Sequence, residues 1–428
     1  MITRKTFLGM AGLSAIVLAD RLGLTRPIRF AREKPGNTVL AEGTAYPPPA
    51  TVSLIDTAVP VGTTRIVIPV TLDRPSPNTV IAFVRCFDGN GGRAAPDTMK
   101  PVLFRPGDPK MLTVAFDCRP LTEGQTLRLV QQNVPDGGKR GQATATVMAA
   151  KSATKLSERH GRSMLPFVPL GKLAYEASGR EVLRGGLWLD RYAHGRTQPG
   201  NAETGWGLAD GKAFTLDGDD LLMRSWRLRQ PVRAGTPISE YPFASAILTG
   251  LMENGNKWPR VRPELSFRYG TIEWIARMPN RRGSWPALWL CSIHNDWPQW
   301  PFEIDVFEGF YHNRQMTPGA SLTANLHGGE EGSSIRKWTR PMQFATMRDF
   351  GLSNTLDVDF HAFACRVEPE WITLWVDGVE TMRWANPFDS TEGWYPLMNV
   401  AVKAVRDDPY AEGSGDMAIR RVRIWRET

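Results

Sequence analysis

Glu303, Asp305 and Glu308 form the most chemically suggestive group in the chain. They lie in the run F-E-I-D-V-F-E, where acidic and apolar residues trade places as on a β-strand, so Glu303 and Asp305, two apart, project from one face. Glu308 falls one residue beyond the alternating position. A single-residue bulge at Val306 or Phe307 returns it to that face. Carboxylates lining one surface resist ionising together, so one of them must keep a proton. A carboxylate beside a protonated carboxylic acid is the pair that glycoside hydrolysis uses, with about 5–5.5 Å between them in retaining enzymes. Along a strand Glu303 and Glu308 stand farther apart, roughly 13 Å at about 3.3 Å per residue with the bulge discounted. A concave sheet and inward-leaning side chains must close that gap. The same run would also suit a strand with one solvated acidic face. The neighbouring Trp285, Trp289, Trp297 and Trp300 favour the sugar cleft, because indoles stack on sugar faces and a solvated face rarely carries so many.

The segments around these acids resemble family 16 of the glycoside hydrolases, the laminarinase, lichenase and agarase group. Trp285 to Leu290 (W-P-A-L-W-L) and Glu303 to Glu308 (E-I-D-V-F-E) match its paired motifs in order and spacing. Phe267 to Pro279 is similar to its upstream strand, and Phe360 to Gly378, Pro387 to Asp389 and Leu397 to Val402 are similar to its downstream strands. The residue inserted before the last Glu places the likeness with the laminarinase-type branch, over roughly residues 180 to 428. The resemblance implies Glu303 as nucleophile, Asp305 as the proton-sharing helper and Glu308 as general acid, then base. It implies His327 and Asn399 as cleft residues, with Trp285, Trp297 and Trp300 binding sugar; Trp289, between Leu288 and Leu290, reads as core. Arg420 stands where many relatives carry an Asp associated with a convex-side calcium. The expectation is therefore no cofactor, and calcium is disfavoured.

The chain has 428 residues with 40 Gly and 33 Pro, and no apolar run reaches the roughly 18 residues of a membrane span. A loop-rich β protein without stable membrane insertion is expected. The formal net charge of +8 is dispersed, without the basic arm or helix that nucleic acid would call for. It would suit an acidic polysaccharide, with Arg336, Lys337 and Arg340 as candidate contacts. Four cysteines allow one bridge in each half (Cys86 with Cys118, Cys291 with Cys365) or free buried thiols.

In chain order, a basic start and the apolar stretch Phe7 to Ala19 read as an export signal over 1–25. Thr3, Arg4, Lys5, Phe7 and Leu8 resemble a twin-arginine signal with Lys for the second Arg, so a periplasmic or secreted location is expected. Residues 26–50 read as linker. Short β-rich runs over 51–150 suggest a small β-sandwich, faintly similar to a Calx-β or immunoglobulin-like module. All tryptophans fall at 188 or later, which favours a spacer over a glycan-binding role for that module. A second linker over 151–169 precedes a Trp-rich region, 170–428, with strand candidates at 186–192, 214–225 and 243–250. The expected fold is all-β: a concave two-sheet jelly roll preceded by a small β-sandwich.

The resulting expectation is an exported, monomeric, retaining endo-β-glycanase with a polysaccharide substrate. The alternatives are a depolymerase or transglycosylase of an acidic exopolysaccharide and a non-catalytic glycan-binding surface protein.

Overall fold

The computed structural model describes residues 50–76, 79–88, 99–132, 143–159, 166–235, 239–255, 258–314, 316–329, 337–341, 345–352, 355–388, 391–403 and 415–427. The expected export signal, almost all of the first linker, and Arg336 lie outside these residues. The chain divides into two compact units, one of Gly43–Leu165 with Met382–Ala385, the other containing Pro166–Thr381 and Asn386–Thr428.

In the first unit, β1 (Val52–Leu54), β3 (Arg65–Leu72) and β6 (Met111–Asp117) form one sheet. A second contains β2 (Thr57–Val59), β4 (Val80–Asp88), β5 (Met99–Phe104), β7 (Thr126–Gln132) and β8 (Thr144–Ala149). Both sheets contribute alternate side chains to one core, including Ile66, Ile68, Val84, Phe104, Phe116 and Leu129. Strict alternation in β8 buries Ala145, Val147 and Ala149 and exposes the residues between, the mark of a strand with one covered face.

The second unit opens with β9 (Lys172–Ser178) and helix α1 (Gly179–Arg184). Ser178 and Glu181 cap that helix reciprocally, satisfying its first free amides. There follow β10 (Gly205–Gly207), β11 (Phe214–Asp217), β12 (Asp220–Arg233), β13 (Glu240–Thr249), β14 (Leu251–Met252), β15 (Arg260–Val261) and β16 (Gly270–Arg277). The central strands are β17 (Ser284–His294), β18 (Trp297–Glu308), β19 (Ser321–Gly329), β20 (Lys337–Pro341) and β21 (Ala345–Thr346). The last are β22 (His361–Val367), β23 (Trp371–Val376), β24 (Val379–Ala385), β25 (Gly393–Val402) and β26 (Gly415–Arg426).

Their pairing runs β20-β19-β18-β17-β25-β13 and continues through β12 into β26-β16-β22-β23-β24, one sheet curled into two layers. The layers meet through fully buried side chains: the Phe307 ring lies 5.1 Å from that of Phe363, edge to face. Alternate residues of β17 and β25, Leu288, Leu290, Met398 and Val400, enter this core. Their neighbours in sequence point to the opposite face, where the acids lie. This is the all-β jelly roll that the sequence predicts.

One expectation changes on contact with the structure, and one alternative left open is decided. The 186–192 candidate does not form a strand; it crosses the sheet as an irregular segment touching it through a single bridge, Leu189 to Thr249. All four cysteines are free, three of them buried as small apolar groups. Arg420 occupies its position by forking onto Asp220 at 3.0 and 3.0 Å, with its guanidinium 3.8 Å from the Phe360 ring centre.

Candidate active site

β18 carries the acids at the middle of the acid-bearing layer. Against β17 its register runs Glu303 to Cys291, Asp305 to Trp289, then Phe307 to Leu288 and Glu308 to Ala287. Val306 is the residue without a partner, and the same slip appears against β19, where Asp305 faces Asn325 and Glu308 faces Thr323. One extra residue there turns Glu308 onto the face of Glu303 and Asp305, as the spacing predicts. A second slip, with Glu303 opposite Cys291 but Gln299 opposite Ser292, pushes 300–302 out of the ladder. Phe302 then packs its ring 5.4 Å from Phe388.

The partners of each acid differ. His327, directly across from Glu303 on β19, brings its Nε2 to 3.0 Å from Asp305 Oδ2 and 3.9 Å from Glu303 Oε1. Burial pushes Asp305 well above the usual carboxylate range, and the charge of Glu303 and a hydrogen bond shared with it push the same way. Burial first, and then the Asp305 charge, also hold Glu308 well above its ordinary value. Each oxygen of Glu308 has its own donor: Trp285 Nε1 at 3.1 Å to one, Asn325 Nδ2 to the other. Both shifts favour the protonated form, of Glu308 and of Asp305, and the hydrogen bond from Asp305 runs to Glu303.

The structure treats the predicted binding residues unequally. His327 keeps about a third of its side chain in solvent (32%) beside the acids. The Trp285 ring, partly exposed, is packed 4.9 Å from Phe310 and 5.3 Å from His312, with Lys403 Nζ 5.6 Å from its centre. Asn399 is buried and engaged twice, accepting from Trp289 Nε1 at 2.7 Å and donating to the Trp285 carbonyl at 3.4 Å. It is a brace between strands. Trp297 stands opposite His294, three residues beyond Cys291 on β17 and hence about 10 Å along the strand from Glu303, beneath the Arg260 guanidinium. Trp300 is placed on β18 by its backbone, and its side chain lies outside what is described; the same holds for Lys337 and Arg340 on β20. Asn325 and Tyr192 were not singled out from the sequence. Asn325 was within reach of that reasoning, because it alternates with His327 in A-N-L-H.

One ligand atom each from Glu303, Asp305 and His327 lies within 4.8 Å of the others, a spacing a cation could use. The donors argue for a proton instead. Asp305 is buried with a raised pKa and hydrogen-bonded to Glu303, whereas a metal would require both carboxylates ionised.

Comparison with known proteins bears on what such a site belongs to. Residues 248–421 match the family model described as "Glycosyl hydrolases family 16". That part of the chain is similar to this family. The chain is 24% identical over 254 residues to "Glucan endo-1,3-beta-glucosidase A1" of Niallia circulans, covering 53% of this chain and 33% of that protein. It is 30% identical over 161 residues to "Beta-glucanase" of Rhodothermus marinus, covering 33% of this chain and 50% of that one. The chain thus spans a third to a half of the length of these relatives. Among solved structures, the laminarinase catalytic domain from Thermotoga maritima aligns with 60% of this chain and 99% of that one, at 19% identity and a TM-score of 0.45.

Proposed function

We infer that the second unit is a family 16 endo-β-glycanase, which hydrolyses internal β-glycosidic bonds of a glucan-type polysaccharide by double displacement with retention. The observation that carries this reading is the division of labour on β18: a buried, proton-holding Glu308 gripped by Trp285 and Asn325, and Glu303 hydrogen-bonded to a proton-holding Asp305. Glu303 attacks the anomeric carbon while Glu308 gives its proton to the departing oxygen, leaving a glycosyl ester on Glu303. Glu308, now a carboxylate, takes a proton from water as that water opens the ester. Asp305 moderates the charge on Glu303 through their shared proton, with His327 Nε2 lying 3.0 Å from its other carboxylate oxygen. The names of the curated relatives, both glucanases, support the substrate class. An exported location belongs to the same proposal, since an intact polysaccharide does not cross a membrane.

The test is a screen on laminarin, lichenan, agarose and an acidic bacterial exopolysaccharide, with NMR of the first-formed anomer. A β-glucan cleaved to β-anomeric ends, and no cleavage by Glu303→Gln, is expected. Release of α-anomeric ends would replace retention with inversion. No cleavage of any polymer would return the chain to a binding role.

A further inference from the structure

The Trp285 indole ties the start of β17 to the chemistry. Its Nε1 donates to Glu308 Oε1 at 3.1 Å while its side chain stays half-buried, so a sugar that takes the Glu308 proton lies beside this ring. The surround of the ring is fixed. Directly after Glu308 the chain turns at Gly309, whose N–H donates to the Pro286 carbonyl at 2.9 Å; a side chain there would overlap Pro286 and the Tyr311 ring. Tyr311 is buried and donates to the Ser321 carbonyl at 3.2 Å, and Arg282 donates to the carbonyls of Tyr311 and Asn313 at 3.2 and 2.8 Å. This loop holds Phe310 and His312 against the indole, at 4.9 and 5.3 Å between ring centres.

Over the same ring, 5.6 Å from its centre, stands the Lys403 ammonium. Lys403 directly follows β25, and its backbone amide donates to the Gly283 carbonyl at 2.9 Å. Among the described residues it makes no ion pair. The titratable groups its charge reaches do not neutralise it. Glu203 ends the segment Leu189–Glu203, a strap whose Leu189 and Tyr192 pack with Trp289, Tyr395 and Leu397 and roof that part of β25. The next amide, that of Thr204, donates to the Val402 carbonyl at 2.8 Å, which sets Glu203 near Lys403. Burial raises Glu203 to about 8, so at neutral pH it is mostly uncharged. Burial, and then the Lys403 charge, lower His312 to about 4, which leaves its ring neutral. Glu308, on the far side of the indole, is pushed toward its own protonated form. A fixed positive charge therefore stands one indole away from the acid, on an aromatic platform.

We propose that Lys403 makes the sugar position at Trp285 selective for a residue carrying a carboxylate, so that the polymer cut internally at Glu303 and Glu308 is an acidic β-glucan. A neutral sugar at Trp285 gains contact with the ring alone. A carboxylate within reach of Lys403 Nζ, on C6 of the sugar or on a group attached to it, gains a charge-assisted hydrogen bond as well. The net charge of +8 favours an anionic polymer without placing it, and Lys403 supplies the place. This rests on the proposed function for the position of the scissile bond, but recognition of the anion can also be read without turnover.

Three polymers of matched length test it: laminarin, laminarin sparsely carboxymethylated, and laminarin oxidised to a similar density of glucuronate at C6. At low salt the wild type is expected to show kcat/KM at least about fivefold higher on an acidic polymer than on laminarin, and whichever acidic polymer gains more identifies the carrier of the carboxylate. Added salt should shrink the advantage. Lys403→Gln should remove the preference, Lys403→Glu reverse it and Lys403→Arg keep it. Mass spectrometry of the wild-type products should find carboxylates enriched on sugars next to the cut bonds. Cleavage of laminarin with no preference among the three, or a preference that survives Lys403→Glu, overturns the proposal and leaves the proposed function standing. If no polymer is cleaved, that function fails, and electrophoresis through gels containing each polymer decides the site separately. Retardation by an acidic polymer, lost in Lys403→Glu, supports the site; equal migration of wild type and variant overturns it. If Lys403→Glu fails to fold, Lys403→Gln takes its place in both comparisons.

Discussion

The two sides of β18 are made of the same material, alternating strands with polar residues on one face, yet they end in opposite states. Toward β19, His327 stays partly in solvent and Asn325 reaches across to Glu308, so the strand's side chains serve the acids directly. Toward β17, β25 and β13, Trp285 at one end of β17 still donates to Glu308, but Trp289, Cys291, Tyr395 and Leu397 are covered together with Tyr192 and Leu189, and polar groups there bond one another, as Asn399 does with Trp289. Trp285 apart, one side holds chemistry and the other holds shape. Changes on the first should therefore cost turnover with little loss of stability, and changes on the second the reverse.

The sharpest test of that division is at the acids. Glu303→Gln and Glu308→Gln should each lower kcat by at least a thousandfold, as acids and nucleophiles acting as a unit do. Glu308→Gln should recover much of its rate on aryl glycosides whose leaving groups need no proton; equal losses on both substrate types would remove Glu308 from the acid role. Thermal denaturation of Glu303→Gln should stay within a few degrees of the wild type, because the amide keeps the shape, whereas Glu308→Gln should melt somewhat lower, because its NH2 group must face one of the two donors, Trp285 Nε1 or Asn325 Nδ2, that the carboxyl accepts from.

Asn325→Ala should have the next largest effect. It deletes a donor that favours the charged form of Glu308, so the pKa of Glu308 moves further up and the alkaline limb of the pH–rate profile moves to higher pH. A fall in kcat of about ten- to a hundredfold is expected, since Glu308 must become a carboxylate to act as base in the second step. An alkaline limb that stays in place would show that Asn325 does not control Glu308.

How much of this was legible in the sequence follows from the range over which each feature is determined. The shared face of Glu303 and Asp305 and the bulge that returns Glu308 depend on period-two alternation within six residues, and both were readable. Trp289 was read as core along with Leu288 and Leu290, but alternation puts it on the opposite face, opposite Asp305, where it is buried against Tyr192 instead. β8 escaped notice because small residues, Ala145 and Ala149, mark its buried face. The partner of Glu308 depends on the register between β18 and β19, which is fixed by a bulge and an intervening loop rather than by either strand alone. The roof over β25 depends on pairing between Leu189 and Thr249, 60 residues apart, and on arginine forks that have no local pattern. Asn399 was correctly placed on its strand. What covers it could not be read from L-M-N-V-A-V.

On the covered side, Asn399→Ala should leave the indole N–H of Trp289 buried without its acceptor. That costs about 1–3 kcal/mol, seen as a lower melting temperature, with kcat changed less than about threefold. A large loss of kcat at unchanged stability would place Asn399 among the catalytic residues after all and break the contrast between the two sides.

The smallest effect on turnover, and the most direct on the roof, should come from Glu203→Gln. Glu203 ends the strap, is 4% exposed, and accepts from the Gln198 amide at 3.3 Å. Burial, opposed by that hydrogen bond and by Lys403, raises its pKa from 4.5 to about 8. The folded protein therefore holds a proton there that the unfolded chain releases above its own pKa. Stability from this group is complete below about pH 4.5 and is lost as pH climbs toward 8, at a rate of at most about 1.4 kcal/mol per pH unit. The amide has no proton to lose, so the variant's melting temperature should gain on the wild type's steadily between pH 5 and 8, with little difference at the acid end. Melting curves that stay parallel across that range would mean Glu203 is already ionised in the folded protein, and the strap's end would then be wet rather than sealed.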